Sequence, residues 1–298
     1  MEALEEVKKQ IKTFVQGCGD QRSLELLDLL AQGKMLRSKL ILKIAGISEQ
    51  SIKLCAIVEM IHAASLLHDD VIDEADTRRG KPSINALFDN KTSIMFGDIL
   101  YSIAFTQLSQ MDKKIAYTVS NAVTLLSIGE MLDVELTNEF NTSYDAYLDM
   151  IYKKTASLIE ASAKAAAILA NKDEEAFALY GKNLGLAFQM VDDILDITQD
   201  SATLGKPALL DFVEGKVTIP YLLLYKKLQN KQELIDLYKK PLNDDESNWI
   251  KSQMKQTNAL EESIDLAKNI GYEALKAIQS EKNEDLVMIM KAMIEREF

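Results

Sequence analysis

Three aspartates near residue 70 have the spacing of a metal-binding helix end. Asp69, Asp70 and Asp73 occur in the stretch Leu-Leu-His-Asp-Asp-Val-Ile-Asp, which follows an apolar segment typical of a helix. Residues four apart lie on one face of an α-helix, about 6 Å from each other, so Asp69 and Asp73 can reach one cation. Mg²⁺ takes oxygen ligands and is commonly bound by one or two carboxylates together with substrate phosphates. The spacing therefore predicts a magnesium site.

Positive charge follows directly after these aspartates. Arg78, Arg79 and Lys81 lie in a segment that Gly80 and Pro82 keep out of the helix. The arginine fork binds phosphate oxygens in pairs, so the two arginines are candidates for binding a phosphorylated ligand. The alternative is that they neutralise the acidic residues beside them.

A second acidic cluster repeats the first. Asp192, Asp193 and Asp196 occur in Gln-Met-Val-Asp-Asp-Ile-Leu-Asp. Two such helix faces can bind a group of Mg²⁺ ions, and a diphosphate would balance their charge. The metals would then stabilise the negative charge of a departing diphosphate. Because the helices that carry these clusters are otherwise apolar, the sequence predicts a ligand with a diphosphate head and a hydrocarbon tail.

Two further cations and a histidine lie earlier in the chain. Lys34 and Arg37 are three residues apart at the start of a helix and can share a face, although a solvated helix end has the same pattern. His62 lies two turns before the first acidic cluster on the same side of its helix. His68 is interpreted as a structural residue.

Several candidates have an alternative role at the protein surface. Lys154 and Thr155 would suit a phosphate if they face inward, and the sequence does not decide this. Lys206 and Lys216 lie on the longest expected loop, over residues 200–218. This loop is either a flap that adds positive charge to the site or an ordinary surface loop.

Composition favours one helical domain over residues 1–298. The 298-residue chain is 47% hydrophobic and has only 4 prolines and 12 glycines, with no linker rich in Pro, Gly or Ser. The net charge of −12 makes nucleic acid an improbable partner. Cys18 and Cys55 lack metal or disulfide spacing, which favours a cytoplasmic location. We expect no transmembrane segment and no signal peptide.

The pattern of apolar residues predicts the helices. They are expected over residues 2–16, 21–31, 50–74, 84–110, 113–140, 144–170 and 174–199, with about four more from residue 217 onward. Residues 77–83 are expected to form a loop. Gly129 is expected to let a neighbouring element approach closely.

The motifs together resemble the trans-isoprenyl (polyprenyl) diphosphate synthase family. The resemblance is carried by Leu67–Asp73, by Thr77–Gly80 and by Gln189–Asp196, in that order and separation. It implies an all-α fold, a helical bundle around a deep central cavity, which is usually a homodimer. It also implies transfer of a prenyl group from an allylic diphosphate to isopentenyl diphosphate, through ionisation, condensation and proton loss.

The resemblance assigns roles residue by residue. The residues that would bind Mg²⁺ are Asp69, Asp73 and Asp192. Those that would bind isopentenyl diphosphate are Lys34, Arg37, His62 and Arg79. Those that would bind the allylic diphosphate are Arg78, Lys154, Thr155, Gln189, Lys206 and Lys216. The residues expected to take part in catalysis are Asp69, Asp70, Asp73, Asp192, Asp193, Lys154 and Lys206.

The sequence departs from the family pattern at two places. Met35 lies in a position where the family usually has another cation, and Leu209 lies where a glycine is common. These departures bear on the affinity for isopentenyl diphosphate and on closure of the 200–218 loop.

The length of the product is predicted from the turn before the first motif. Ala64 and Ser65 are small and would leave a tunnel open, which favours a long-chain product of the octaprenyl type for a quinone side chain. A geranylgeranyl or farnesyl diphosphate synthase is the alternative.

Other functions fit the sequence less well. A class I terpene cyclase would usually carry Asn, Ser and Glu ligands on the second helix. A phosphohydrolase with a His-Asp metal site would need more histidines. A helical regulatory subunit without activity would not need both acidic motifs.

Overall fold

Helices make up nearly all the regular structure of the chain. The computed structural model describes residues 2–31, 33–198 and 209–295. The first helices are α1 (Glu2–Gln16), α2 (Gln21–Leu29), α3 (Leu36–Ala45), α4 (Glu49–Ile72), α5 (Ile84–Leu87), α6 (Asn90–Leu108) and α7 (Lys113–Leu136). They are followed by α8 (Tyr144–Ile151), a π-helical turn (Tyr152–Ala156), α9 (Ser157–Leu169) and α10 (Glu174–Thr198). The all-α prediction is confirmed.

The remaining elements come after the part of the chain that is not described. They are α11 (Leu210–Val213), α12 (Ile219–Lys227), α13 (Gln232–Leu237), α14 (Asp244–Gln256), α15 (Ala259–Ala277), a 3₁₀ turn (Gln279–Glu281) and α16 (Glu284–Ile294). The expected loop over 200–218 therefore contains a short helix, α11, in its described part.

Polar residues define where the long helices begin. Ser48 precedes α4 and accepts a hydrogen bond from the backbone N–H of Ser51, whose side chain in turn accepts one from the backbone N–H of Ser48. Asn243 and Glu246 form the same reciprocal arrangement at the start of α14. These side chains satisfy backbone N–H groups that have no partner inside the helix.

The expected helix over residues 84–110 is wrong in one respect, because the chain breaks at Phe88 and Asp89. Asp89 is extended, and its carboxylate accepts a hydrogen bond from the backbone N–H of Thr92 at 2.7 Å. Aspartate is a strong helix N-cap, so a new helix, α6, begins here instead of continuing α5.

A small hairpin replaces the expected loop at residues 77–83. Strand β1 (Thr77–Arg78) pairs with β2 (Lys81–Pro82) in antiparallel register, with Arg78 opposite Lys81. The two residues between them, Arg79 and Gly80, both have positive φ angles, of 53° and 72°. Two consecutive positive φ angles are the requirement of a type I′ turn, which matches the twist of the flanking strands.

The expected helix over residues 144–170 is interrupted by the π-helical turn. A Cβ atom added to Gly129 of α7 would overlap the backbone of Lys154 in this turn. A Cβ added to Gly185 of α10 would overlap the backbone of Ala156. Two glycines thus allow α7 and α10 to approach the turn at backbone distance, as predicted for Gly129.

The chain forms two compact units. The first comprises Met1–Val123 and Ala161–Ala178, and the second comprises Thr124–Glu160 and Leu179–Phe298. In the first unit, α4 is the central helix and packs against α1, α3 and α6. In the second unit, α12 packs against α8, α14 and α15, and the rings of Phe212 and Tyr221 stack at 4.3 Å. The prediction of one domain stays a prediction.

Two helices are long and apolar enough to cross a membrane when judged by length and composition alone. They are α4 and α7, in which 61% and 39% of the apolar window is buried within the protein. Core helices of globular proteins pass the same test, so this is weak evidence. The expectation that no segment crosses a membrane stays a prediction.

We predict that Gly129→Ala destabilises the protein by about 1–3 kcal/mol, because the new methyl group has to displace backbone atoms of the π-helical turn. Urea denaturation measures the change. Gly17→Ala, after the end of α1, is the matched comparison and should cost less, since its new Cβ would approach the carbonyl oxygen of Phe14 only to 3.3 Å, whereas a Cβ at Gly129 would overlap the backbone of Lys154. Equal stability of the Gly129→Ala variant and the wild type would contradict the close approach.

Candidate active site

The first acidic cluster lies at the carboxyl end of α4. The backbone N–H of Asp73 donates to the carbonyl oxygen of Asp69 at 2.8 Å, so the two residues keep the helical i, i+4 relation expected from the sequence. Asp73 is exposed and Asp69 is half-buried. Asp70 points elsewhere and is only 4% exposed.

Asp70 is paired with Arg78 of the hairpin. The Nε and Nη2 atoms of Arg78 both lie 2.6 Å from Oδ1 of Asp70. Burial raises the pKa of Asp70, and Arg78 opposes this shift. In this structure Arg78 therefore neutralises a neighbouring acid, as the alternative interpretation of the paired arginines proposed.

Arg79 points to a different partner. Its Nη1 donates to the carbonyl oxygen of Ala31 at 3.5 Å, and a Cβ added to Gly33 would meet Nη1 at 2.5 Å. The absence of a side chain at Gly33 thus provides the space for this guanidinium. Adjacent arginines separate in this way because the turn at Arg79 reverses the chain.

Arg37 adds a third arginine to the positive region of the first unit, and its charge acts on His62. Burial lowers the pKa of Arg37 to about 10, although Glu59 favours the charged form. Burial and the charges of Arg37, Arg79 and Arg78 lower the pKa of His62 well below its usual value. His62 is therefore neutral at pH 7 and can donate a hydrogen bond beside arginines, which suits a phosphate ligand.

Glu59 and Lys34 lie at the edge of this region. Oε1 of Glu59 accepts hydrogen bonds from the backbone N–H and the hydroxyl of Ser38, at 3.2 and 2.7 Å. Lys34 is exposed. Met35, where the family usually has a cation, has a φ of 50° and precedes α3 without a side-chain cap.

The second acidic cluster has the same division between exposed and buried residues. Asp192 is exposed and Asp193 is buried. Asp193 accepts a hydrogen bond from the hydroxyl of Tyr147 at 2.6 Å and another from Nε2 of Gln189 at 3.0 Å. Burial raises the pKa of Asp193 to about 8, and Asp211 adds to this shift.

Gln189 connects Asp193 with the π-helical turn. Its Oε1 accepts a hydrogen bond from the hydroxyl of Thr155 at 2.9 Å. Thr155 and Gln189, both predicted to bind the allylic diphosphate, are therefore in direct contact with each other. Thr155 faces inward, which the sequence had left undecided.

Lys154 also faces inward. Its Nζ lies 2.6 Å from Oδ2 of Asp133 and 2.9 Å from Oε2 of Glu130, and both acids are on α7. Each acid is only 7% exposed. Lys154, which is predicted to bind a phosphate, is thus held by two buried carboxylates.

Asp196 fixes the segment where the described chain resumes. Its carbonyl oxygen accepts a hydrogen bond from the backbone N–H of Leu209 at 3.0 Å, and its Oδ2 accepts one from the N–H of Asp211 at 3.3 Å. Leu209 has a φ of 62°, a conformation that favours glycine, which gives a physical reason for the glycine common in the family. Nζ of Lys216 lies 3.2 Å from Glu214, and Lys206 lies outside the described residues.

The acidic residues supply oxygen ligands only, which suits a hard cation such as Mg²⁺. Within residues 2–31, 33–198 and 209–295, no three His, Cys, Asp or Glu side chains form a ready-made metal site. Asp69 and Asp73 in the first unit, and Asp192 in the second, are each chemically suited to an ion whose remaining ligands are water and diphosphate oxygens. Their role as metal ligands stays a prediction.

The expectation that Ala64 borders open space is wrong for this structure. Its side chain is 0% exposed, and its carbonyl oxygen lies 3.3 Å from where a Cβ on Gly97 would be. Ser65 is also buried, and its hydroxyl donates to the carbonyl oxygen of His62 at 2.9 Å. Both residues are small because α6 packs closely against α4 here.

Several acids and a tyrosine in the described part of the chain act on the candidates but were not predicted as site residues. Examples are Glu59, Glu130, Asp133 and Tyr147. The acids of α7 have a detectable signal, since they are three residues apart and follow Gly129, the glycine expected at a close approach. Tyr147 has no such signal because its partner is 46 residues away.

Comparison with known proteins identifies the family. The family model for polyprenyl synthetases matches residues 23–255. The chain belongs to this family. The resemblance noted from the motifs is thereby confirmed.

Among members of the polyprenyl synthetase family, long-chain synthases are similar to this chain. The mitochondrial solanesyl-diphosphate synthase 1 of Oryza sativa subsp. japonica is 39% identical over 247 residues, which cover 80% of this chain and 57% of that protein. The chain thus spans less than two thirds of the length of this relative.

Solved structures of polyprenyl synthetases are similar to this chain over nearly its whole length. The octaprenyl pyrophosphate synthase of Helicobacter pylori is 44% identical, covers 99% of both chains and has a TM-score of 0.93. A polyprenyl synthase of Caulobacter crescentus, complexed with calcium and isoprenyl diphosphate, is 30% identical with a TM-score of 0.89. That alignment covers 100% of this chain and 95% of the other.

We predict that protein stability falls between pH 7 and pH 5 partly because of His62. Its folded pKa is far below the usual 6.5, so below pH 6.5 the unfolded chain takes up a proton that the folded chain does not. The loss is at most about 1.4 kcal/mol per pH unit. Urea denaturation at both pH values measures it.

The variant His62→Gln is expected to lose the part of the pH dependence of stability that comes from His62. The matched variant His68→Gln retains His62 and should keep it. If the free energy of unfolding of His62→Gln changes with pH as it does in the wild type, the folded and unfolded chains bind this proton equally.

Proposed function

We propose that the chain is a Mg²⁺-dependent prenyltransferase that makes an all-trans polyprenyl diphosphate. It would condense isopentenyl diphosphate with an allylic diphosphate and release diphosphate. The proposal is supported by membership of the polyprenyl synthetase family and by the likeness to octaprenyl and solanesyl diphosphate synthases.

The observation that carries the proposal is the positive region beside the acidic end of α4. Arg37 and Arg79 lie near enough to His62 for their charges to lower its pKa, in the same unit as Asp69 and Asp73. The buried Nε of Arg37 has no hydrogen-bond partner among the residues that the structure describes. A buried donor without a partner costs about 1–3 kcal/mol, and a phosphate oxygen would remove that cost.

The two substrates would be bound by separate groups of residues. Lys34, Arg37, His62 and Arg79 would bind isopentenyl diphosphate. Arg78, Lys154, Thr155, Gln189, Lys206 and Lys216 would bind the allylic diphosphate. For Arg78 this requires a contact in addition to its pairing with Asp70.

The proposed reaction has three steps. The bond between the allylic carbon and the diphosphate oxygen would break, and its electron pair would leave with the diphosphate. The double bond of isopentenyl diphosphate would then attack the allylic carbon, and the released diphosphate would accept the proton whose loss restores a double bond. Divalent ions bound by Asp69, Asp73 and Asp192 would supply a Lewis acid that stabilises the negative charge of the diphosphate. Exclusion of water protects the allylic cation from hydrolysis.

We further propose a long-chain product of the octaprenyl type. The support is the likeness to the long-chain synthases and not the turn at Ala64, which is closed by packing. Geranylgeranyl diphosphate remains the alternative product.

A homodimer and a cytoplasmic location belong to the same proposal. Large apolar side chains are exposed on α6 and α7, and a second copy would cover them; examples are Met95 at 56%, Tyr117 at 73% and Met131 at 72%. Cys18 and Cys55 are both free thiols, which suits a reducing compartment.

The direct test is incubation with isopentenyl diphosphate, Mg²⁺ and allylic primers of several lengths, followed by mass analysis of the products. We expect a polyprenyl diphosphate of about eight isoprene units. A product of four units would replace the long-chain assignment with the geranylgeranyl one. No elongation of any primer would overturn the proposed activity.

We predict that Asp69→Asn and Asp192→Asn each lower turnover by at least about 100-fold, because each removes a carboxylate ligand of the ions that would stabilise the developing negative charge, and loss of one such stabilising contact commonly costs this much. Both residues retain part of their surface in contact with solvent, so the change in stability should stay within about 0.5 kcal/mol. Turnover is measured by steady-state kinetics and stability by urea denaturation.

Asp265→Asn on the exposed face of α15 is the matched control and should be fully active. Normal turnover of either motif variant would remove that residue from the proposed set of metal ligands.

A further inference from the structure

Two buried acids on α7 hold the ammonium group of Lys154. Nζ of Lys154 donates to Oδ2 of Asp133 at 2.6 Å and lies 2.9 Å from Oε2 of Glu130. The two acids are three residues apart, so they lie on the same face of α7 and converge on one point. All three residues belong to the second compact unit.

The backbone on both sides of this contact is fixed. Lys154 lies in the π-helical turn, and its backbone packs directly against Gly129, the residue before Glu130. A side chain at position 129 would push the turn away from the acids. The glycine and the π-helical turn therefore set the distance between Lys154 and its partners.

Burial distinguishes this contact from an ordinary surface ion pair. The side chains of Glu130 and Asp133 are each 10% exposed. Neither oxygen of Glu130 accepts a well-formed hydrogen bond from the part of the chain that the structure describes, so the charge of Lys154 compensates its burial. A buried carboxylate without compensation is strongly unfavourable, so the two acids depend on the charge of Lys154.

The neighbouring lysine provides a comparison within the same turn. Nζ of Lys153 lies 2.6 Å from Oδ2 of Asp149, but the side chain of Asp149 is 49% exposed. Exposed pairs of this kind contribute little to stability and hold the lysine weakly. The turn thus carries one lysine held at the surface and one held by buried acids.

We propose that Glu130 and Asp133 are positioning residues that aim Lys154 at the diphosphate of the allylic substrate. This inference rests on the proposed function, in which Lys154 binds that diphosphate. The hydrogen bond to Asp133 and the ion contact with Glu130 hold the ammonium group against one face of α7 and restrict the conformations that the lysine side chain can adopt. The long lysine side chain then loses little conformational entropy when the substrate binds.

A double-mutant cycle tests the inference. Asp133→Ala should raise the KM for the allylic diphosphate about tenfold, the effect of losing roughly 1.4 kcal/mol of binding. It should leave the KM for isopentenyl diphosphate unchanged. In a Lys154→Met background the same substitution should have no further effect on the allylic KM, because the residue it positions is absent.

Conservative variants and a control separate positioning from folding. If Asp133→Ala folds poorly, Glu130→Gln replaces it in the test. Glu130→Gln keeps the shape of the side chain and should also raise the KM for the allylic diphosphate. Asp133→Asn keeps an oxygen acceptor and should restore part of the affinity. Asp149→Ala removes the exposed partner of Lys153 and should leave both KM values at the wild-type level.

Two results would overturn the inference. One is an equal effect of Asp133→Ala with and without Lys154, and the other is a similar change in both KM values. If the wild type elongates no primer, the proposed function fails instead. Calorimetry then measures the dissociation constant of inorganic diphosphate, in the presence of Mg²⁺, for the wild type and the same variants. If the effects of Asp133→Ala and Lys154→Met on that constant are independent of each other, the positioning role is rejected.

Discussion

The cost of burying a carboxylate governs how the candidate site is built. A charged group removed from water is unfavourable by several kcal/mol unless a cation or hydrogen-bond donors compensate it. Asp70 is buried and is held by Arg78, whereas Asp193 is buried and is held by Tyr147 and Gln189. Arg78 and Tyr147 each come from a different element of the same unit, whereas Gln189 lies on the same helix as Asp193. The acids therefore connect the hairpin to α4, and α8 to α10.

The repeated Asp-Asp pair divides two tasks between adjacent residues. Neighbouring residues on an α-helix point about 100° apart, so they cannot both face the same ligand. Asp70 and Asp193 point into their own units, while Asp69 and Asp192 keep contact with solvent. One member of each pair thus contributes to the fold of its unit, and the other stays in contact with solvent.

The sequence predicted the features that depend on local periodicity. The long helices and the i, i+4 relation of Asp69 and Asp73 follow from spacing alone, and so does the close approach at Gly129. The break before α6 was missed because the cap at Asp89 competes with apolar residues that would continue a helix. The partners of Asp193 and Lys154 come from distant parts of the chain, so local pattern could not reveal them. The turn at Ala64 was misjudged because small residues also permit close helix packing.

The hairpin between residues 77 and 82 has a consequence for how the family can vary. Its two-residue turn sends Arg78 to Asp70 and Arg79 to the backbone near Gly33. Adding or deleting a single residue would reverse which arginine faces which side, since strand side chains alternate. The segment should therefore tolerate changes of amino-acid type more readily than changes of length, and its length is a structural constraint that substitution patterns alone would not show.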